Sequence, residues 1–329
     1  MQKLADTLRN SPPLRQLVVE LAICGKIKHT NRHWAIGLTD PLLQVPPLSL
    51  VPRLHSLRLA DFDNVLFSGK TWAQLYPYKN ITELHLHRCH LQASSHLEQL
   101  VFQFPRLNTL TLDSVRWQGD RERVAFGQSP EYRGRTVHLQ SLRICNPYEY
   151  APLLQWLSLR GAVAVRHLEL VRFDVYNLRP AATYVRALEQ SLESLTLGYN
   201  LPAFCDHGER RIDLFRHKKL RSLSLQLYDC QDEYVRWVNT LLLSALDCPL
   251  ERIAISFTLD DRKTLWTESW NTLYATLSAY WSRTLKEVAF THFAMPNFLQ
   301  NVELMIRDRF VELRERGILS VTVVRSQDV

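Results

Sequence analysis

Apolar residues recur along this chain in one frame, a leading position followed three and five residues later by two more. The stretch FPRLNTLTLDSVRW shows the frame with Leu107, Leu110 and Leu112. Alternation of apolar and polar residues is typical of a strand that is buried on one face. The frame returns at steps of 26 to 35 residues. Its leading positions are Leu54, Ile81, Leu107, Leu139, Val165, Leu192, Leu220, Leu250 and Leu285.

Between these strands the apolar residues return every three or four positions, which indicates helices with one buried face. Ser95 and Glu98 form a capping-box pattern that predicts the start of one such helix. Pro180 predicts the first turn of a later helix, because proline needs no amide partner there. Residues 296–316 predict a last amphipathic helix.

Strands therefore alternate with helices at a nearly constant period, and parallel neighbours require such crossovers. A period close to that of leucine-rich repeats favours units that stack into a solenoid. We predict an α/β fold: a leucine-rich-repeat horseshoe with a parallel sheet on its concave face and helices on its convex face. Residues 1–329 are expected to form a single domain of about ten irregular repeats. It includes an N-terminal half-repeat at 1–13 and a loop insertion at about 117–136.

Both ends of the repeat array carry predicted strands. We assign an earlier copy of the frame to Leu14, Leu17 and Val19, and a final strand to residues 318–324. The half-repeat supplies no strand beside this first copy. We therefore expect the N-terminal end of the array to fray or to self-associate, since an open repeat end exposes core residues.

Composition adds little to this interpretation. A hydrophobic content of 46% and a charged content of 22% are ordinary for a chain with a large core. No apolar run is long enough for a membrane span, and the first residues lack the apolar region of a secretory signal. The six cysteines form no C-x-x-C pair, which favours reduced thiols. We expect a cytoplasmic or nuclear protein with no membrane partner.

The polar positions within each strand point away from the apolar ones and so face the concave side. We predict that a partner protein binds this face. The predicted partner-binding residues are Arg58, His85, His87, Thr111, Arg143, Glu169, Thr196 and Ser224. Large basic residues occupy the first half of the row and small neutral ones the second half. We therefore expect an acidic partner segment near the basic end.

Candidate chemistry is sparse. His85, His87 and Cys89 lie close together in sequence and supply the nitrogen and sulfur ligands that zinc prefers. In the alternative interpretation, Cys89 is a buried turn residue and the histidines are solvated. No phosphate loop, zinc-protease motif or nucleophile elbow occurs, so we expect no enzyme and no cofactor. The net charge is +7, but acidic residues are interspersed with the basic ones, so we expect no specific nucleic-acid binding.

The unit length, the F-P-x-L-x-x-L-x-L-x-x-V-x-W phrase at 104–117 and the turn at Cys89 resemble the F-box and leucine-rich-repeat proteins expanded in mushroom-forming fungi. In that family an N-terminal F-box docks on the adaptor of a cullin–RING ubiquitin ligase, and the repeats present a substrate. The resemblance implies a substrate-recognition role here.

No F-box precedes the repeats, because residues 2–10 have the pattern of the helix half of a repeat. Binding to a ligase adaptor is thus expected only if an F-box lies upstream, and otherwise the chain is a relative that has lost it. An alternative is a leucine-rich-repeat regulator of the GTPase-activating or inhibitor type. The regular asparagine turns of that type are mostly absent here.

Overall fold

The computed structural model describes a chain that divides into two compact units, residues 1–162 (unit 1) and 163–329 (unit 2). Each unit combines helices with parallel strands. The described residues are 2–24, 50–61, 75, 77–91, 93–117, 126, 134–146, 150–160, 162, 164–173, 175–199, 212–227, 232–258, 265, 267–280, 284–294 and 299–325.

Unit 1 contains a parallel sheet in the order β1-β2-β3-β5-β7 and a small parallel pair, β4-β6. Its strands are β1 (Glu20–Cys24), β2 (Ser56–Ala60), β3 (Glu83–His87), β4 (His90–Leu91), β5 (Thr109–Asp113), β6 (Arg116–Trp117) and β7 (Ser141–Cys145). Its described helices are α1 (Gln2–Asn10), α2 (Pro12–Arg15), α3 (Ser94–Gln103) and α4 (Ala151–Leu159).

Unit 2 contains six parallel strands whose order in the sheet follows the chain. They are β8 (His167–Phe173), β9 (Ser194–Tyr199), β10 (Ser222–Leu227), β11 (Arg252–Thr258), β12 (Glu287–Ala294) and β13 (Leu319–Arg325). Its described helices are α5 (Val175–Ala187), α6 (Asp232–Ser244), α7 (Glu268–Tyr280), α8 (Leu299–Arg309) and α9 (Val311–Glu315).

The repeat frame coincides with the register of the strands. Leu84 of β3 pairs with Leu57 on one side and with Leu110 on the other, and all three are buried. In unit 2, Leu223 pairs with Leu195 and Ile253 in the same way. Burying one such side chain contributes about 1.5–3 kcal/mol. The α/β class with parallel strands is therefore confirmed, whereas the horseshoe curvature and the single domain stay predictions.

The first copy of the frame was placed wrongly. β1 begins at Glu20 and pairs Leu21 with Leu57, so the leading position of this repeat is Val18 rather than Leu14. Leu14 lies in the short helix α2, and Leu17 is 70% exposed. A leucine spacing alone could not reveal this shift, because a proline-initiated turn also contains leucines. The helix predicted in the half-repeat is present as α1.

Two helix starts also differ from their predictions. α3 begins at Ser94, one residue before the predicted capping serine, and its first turn has no side-chain cap. The predicted capping serine, Ser95, lies inside the helix rather than at its start, and the Glu98 side chain is buried. α5 begins five residues before Pro180, which lies inside it. Pro180 supplies no amide for a helical hydrogen bond, and Leu178 and Ala181 on either side of it are buried.

The C-terminal segment contains two helices where one was predicted. α8 and α9 are separated at Phe310, a fully buried aromatic residue. Its ring lies 4.8 Å from that of Phe290 in β12, centroid to centroid. The interruption between the two helices coincides with this buried residue. The last strand, β13, was predicted correctly.

The predicted insertion at 117–136 lies mostly outside the described residues. Phe126 is described, and its ring is 5.6 Å from Trp117 and 5.4 Å from Trp156 of α4. Aromatic pairs at such distances stabilise beyond the area that they bury. Phe126 thus packs against the aromatic side chains of unit 1.

A row of charged residues crosses unit 2 immediately before the strands. The signs alternate from one repeat to the next, and each backbone amide donates to the carbonyl of the preceding member, for example Glu251 to Arg221 at 2.8 Å. The Glu251 carboxylate accepts hydrogen bonds from Lys286 and Arg221, which lower its pKa. We call this set the charged row. Its members are Arg166, Glu193, Arg221, Glu251 and Lys286.

We expect Glu251→Lys to lower the melting temperature of the protein. The substitution places three cations side by side in the charged row, and like charges at this range repel each other. Calorimetry at low and high salt checks this. The loss should shrink as salt rises, because the residues lie near the surface.

Glu315→Lys makes the same charge change at an exposed position near the end of α9, and it serves as the control. A melting temperature equal to that of the control at low salt would show that the charged row does not stabilise unit 2.

Candidate protein-binding face

The strands of unit 1 alternate between buried apolar residues and more exposed polar ones. In β3 and β5 the pattern is strict, with Leu84, Leu86, Leu110 and Leu112 buried. The intervening side chains point to the opposite side of the sheet, which we call the open face. The open face of each unit has its own chemistry.

The register brings the predicted mid-strand residues of unit 1 into one row. Arg58 pairs with His85, His85 with Thr111, and Thr111 with Arg143. Neighbouring strands lie about 4.8 Å apart, so the four side chains are adjacent. His87 follows one step along the strand, where it pairs with Asp113. The register thus confirms that these residues lie side by side, as the alternation predicts. Their role in partner binding stays a prediction.

Acidic residues that the prediction overlooked lie beside the basic ones. Arg58 forms an ion pair with Glu20 of β1 at 3.4 Å, and His85 lies 3.7 Å from Glu83. The open face of unit 1 therefore carries mixed charge and not the predominantly basic surface suggested by its mid-strand residues. An acidic partner segment would have to displace Glu20 from Arg58.

The strands of unit 1 end in a repeated turn. Asp61, Arg88, Ser114 and Asn146 each follow a strand directly and have positive φ between 48° and 58°. This left-handed conformation is costly for residues other than glycine, although aspartate and asparagine tolerate it best. The amides of the first three donate to carbonyls of the next repeat at 2.8–3.0 Å. Interstrand hydrogen bonds thus continue past the strands and hold the turns in place.

Side chains at these turns form a hydrogen-bonded group centred on Asp113. Its carboxylate accepts bonds from Asn146 and Ser114 and lies 2.9 Å from Nδ1 of His87. Partial burial raises the pKa of Asp113, but these hydrogen bonds and the charge of His87 outweigh it, so the net pKa is lowered. Beside this group, Arg88 Nε donates to Asp61 at 2.7 Å. We call these residues the strand-end cluster: Asp61, His87, Arg88, Asp113, Ser114 and Asn146.

The proposed metal ligands are not brought together. Cys89 is fully buried, and its sulfur donates to the carbonyl of Leu59 in the preceding repeat at 3.3 Å. It is the buried turn residue of the alternative interpretation. His87 instead contacts Asp113. Within the described ranges, no three His, Cys, Asp or Glu side chains are placed to hold a metal ion.

The open face of unit 2 contains mainly small side chains. Glu169 pairs with Thr196, and Thr196 with Ser224. The row continues through Ala254 to Ala289. Thus the three predicted residues of this unit also lie side by side. Apart from Glu169, these side chains are smaller than the arginines and histidines of the corresponding row in unit 1.

Comparison with known proteins gives no family: no family model matches the chain, and no curated protein matches it significantly. Among the described helices, none combines the length and apolar character needed to cross a bilayer. The fungal F-box resemblance, the location and the absence of enzymatic activity therefore stay predictions.

We expect Asp113→Asn to lower the free energy of unfolding at pH 7 by about 1 kcal/mol, since partial exposure screens the charge-assisted hydrogen bonds that are lost. The folded-state pKa of Asp113 is depressed, so its contribution is present above the unfolded value of 3.8 and is lost as pH falls through the folded value. The difference between variant and parent should therefore narrow below that pH.

Urea unfolding at a series of pH values measures this difference, with Glu315→Gln as a charge-matched control on an exposed carboxylate. If the difference in unfolding free energy between Asp113→Asn and the parent stays constant down to the lowest pH measured, the carboxylate charge does not contribute to stability.

A second expectation concerns metal content. Protein purified without chelator should contain no stoichiometric zinc or copper, because the Cys89 sulfur is buried and hydrogen-bonded to the backbone. Elemental analysis checks this directly. One equivalent of zinc that is lost in His85→Ala and His87→Ala would restore the metal-binding interpretation.

Proposed function

We propose that this chain is a protein-binding module that holds a partner protein on the open face of unit 1. The observation that carries the proposal is the strand-end cluster, where polar side chains are fixed by one another at the end of an aligned polar row. A surface whose side chains are already ordered loses less conformational entropy when a partner binds.

The dimensions of the face suit a macromolecular partner. Five strands at about 4.8 Å spacing, each with five residues at about 3.3 Å, give a flat area of roughly 400 Å². This is about half of what one partner buries in a standard protein interface of about 800 Å² per side. The partner would therefore also contact the strand-end turns, where Arg88 is exposed.

Because the face carries charges of both signs, it should bind one matching partner protein more tightly than other proteins. Arg58 and Arg143 are exposed donors, whereas Glu83 and Asp113 are acceptors, and they alternate over short distances. A partner must match both signs to bind, since like charges in contact are repelled. The expected acidic segment of the partner would contact the basic residues of the face, Arg58 and Arg143.

Within this role, we propose the narrower function of recognising a substrate for an F-box-type ubiquitin ligase, or a related function in a protein that has lost the F-box. Support comes from the resemblance of residues 104–117 alone. In the structure, Leu107 and Leu110 of this sequence motif are buried, and β5 pairs with β3. The ligase role depends on an F-box encoded upstream of Met1.

The double variant Arg58→Glu with Arg143→Glu should lose the partner. Affinity purification with quantitative mass spectrometry compares it with the parent and with Arg53→Glu plus Lys79→Glu. The latter makes an equal charge change at exposed residues in turns before the strands. We expect the partner to be depleted roughly ten-fold with the face variant only, because charge reversal in contact costs more than at a distance.

The recovered partner is then titrated against the three purified proteins at two salt concentrations. The parent and the control should bind alike, and the face variant more weakly and with less salt dependence. Equal affinity of all three would contradict the proposal, as would recovery of identical protein sets.

A further inference from the structure

A short loop of unit 2 presents an aromatic residue among positive charges. In residues 213–219, which we call the Phe215 loop, buried and exposed side chains alternate. Leu214 and His217 are almost fully buried, whereas the Phe215 ring is 55% exposed. Arg216, Lys218 and Lys219 are also exposed. A single exposed apolar side chain is common on a protein surface, so Phe215 is informative here only together with the cations around it.

The buried side of this loop is held by two helices. The Leu214 amide donates to Ser244 Oγ of α6 at 3.2 Å, and Nε2 of His217 lies 2.9 Å from the carbonyl oxygen of Val185 in α5. The Cys248 thiol donates to the Leu214 carbonyl at 3.1 Å. Burial raises the pKa of Cys248 to about 11, so the thiol keeps its proton and remains a donor at neutral pH.

The exposed side is held as well. The Phe215 amide donates to the Asp213 carboxylate at 3.0 Å, and Lys218 Nζ lies 5.1 Å from the centroid of the Phe215 ring. A cation at this distance is attracted to the face of an aromatic ring. The Phe215 ring and the lysine beside it therefore have a defined arrangement before any partner arrives.

The positive charges of the loop differ from most others in unit 2. Arg216 makes only a long contact with Glu189, at 3.9 Å. Within the part of the chain that the structure describes, Lys218 and Lys219 form no ion pair. Other basic residues of the unit do form ion pairs with carboxylates: Arg166, Arg221, Arg236, Arg252, Lys286, Arg307 and Arg314. Among the described residues, no carboxylate therefore lies within ion-pair distance of either lysine.

We propose that the Phe215 loop is a second docking surface, which binds an acidic segment of a partner protein. Carboxylates of that segment pair with Lys218 and Lys219, and an adjacent apolar side chain packs against Phe215. The exposed positive charges attract the segment, and the exposed aromatic supplies the apolar contact that anchors an interface. This surface shares no residue with the open face of unit 1, and the proposal does not depend on the function of that face.

An anionic membrane and a nucleic acid fit the loop less well. Nucleic-acid binding draws on many phosphate contacts, and membrane docking on several apolar side chains, whereas this loop offers three cations and one ring. A short acidic peptide requires no more than the loop supplies.

The test uses the full-length protein and a fluorescein-labelled peptide, Gly-Glu-Asp-Glu-Leu-Phe-Glu-Asp-Glu-Gly, followed by fluorescence anisotropy. We expect saturable binding that weakens with salt. Lys218→Gln with Lys219→Gln should weaken it roughly ten-fold, and Phe215→Ser roughly five-fold, as expected for two ion pairs and one apolar contact. All three side chains are exposed, so these variants should keep the parent's melting temperature.

The matched control is Arg179→Gln with Arg236→Gln. It removes the same charge from exposed residues near the far ends of the helices that hold the loop. The control should bind the peptide as the parent does. A peptide with Gln and Asn in place of Glu and Asp should not bind.

Three results would overturn the proposal. The parent could fail to bind the acidic peptide, or the control variant could weaken binding as much as the lysine variant. Alternatively, vesicles of equal parts phosphatidylcholine and phosphatidylserine, or oligouridine RNA, could bind more tightly than the peptide with the same dependence on Lys218 and Lys219. The last result would assign the loop to a lipid surface or to RNA.

Discussion

The apolar side chains of each strand leave water only when the next strand pairs with it in register. Leu84 is covered because Leu57 and Leu110 lie beside it, and the same holds through both units. A slip of one residue would turn every leucine of a strand to the open face, so the register is strongly specified. The polar rows are a by-product of this constraint, because alignment of the leucines also aligns the residues between them.

This constraint explains which parts of the fold the sequence predicts well. The alternation around Leu107 and its counterparts determines the strands, their direction and their register, because period two assigns each residue a face. The boundaries of the helices depend on contacts with other elements. One helix begins a residue before the predicted capping serine, and the last predicted helix is interrupted at the buried Phe310. Neither event leaves a local signal.

The same distinction applies to the candidate surfaces. The mid-strand residues of the open faces follow from alternation, and their positions were predicted. Asp113 was overlooked because its importance arises from residues in three different repeats, His87, Ser114 and Asn146, which meet only after folding. The Phe215 loop was overlooked because its sequence resembles any polar turn. Its signal is the burial of His217 between exposed basic residues, which a pattern of hydropathy does not record.

The alternating signs of the charged row also constrain how unit 2 can change over evolutionary time. Repeat proteins commonly gain and lose units by internal duplication and deletion. Removal of the single repeat that contains Glu193 would place Arg166 next to Arg221, and duplication of any one repeat would likewise juxtapose two equal charges. Removal or duplication of two successive repeats preserves the alternation. A change by two repeats within the row thus keeps each of its charges beside an opposite one, and a change by one does not.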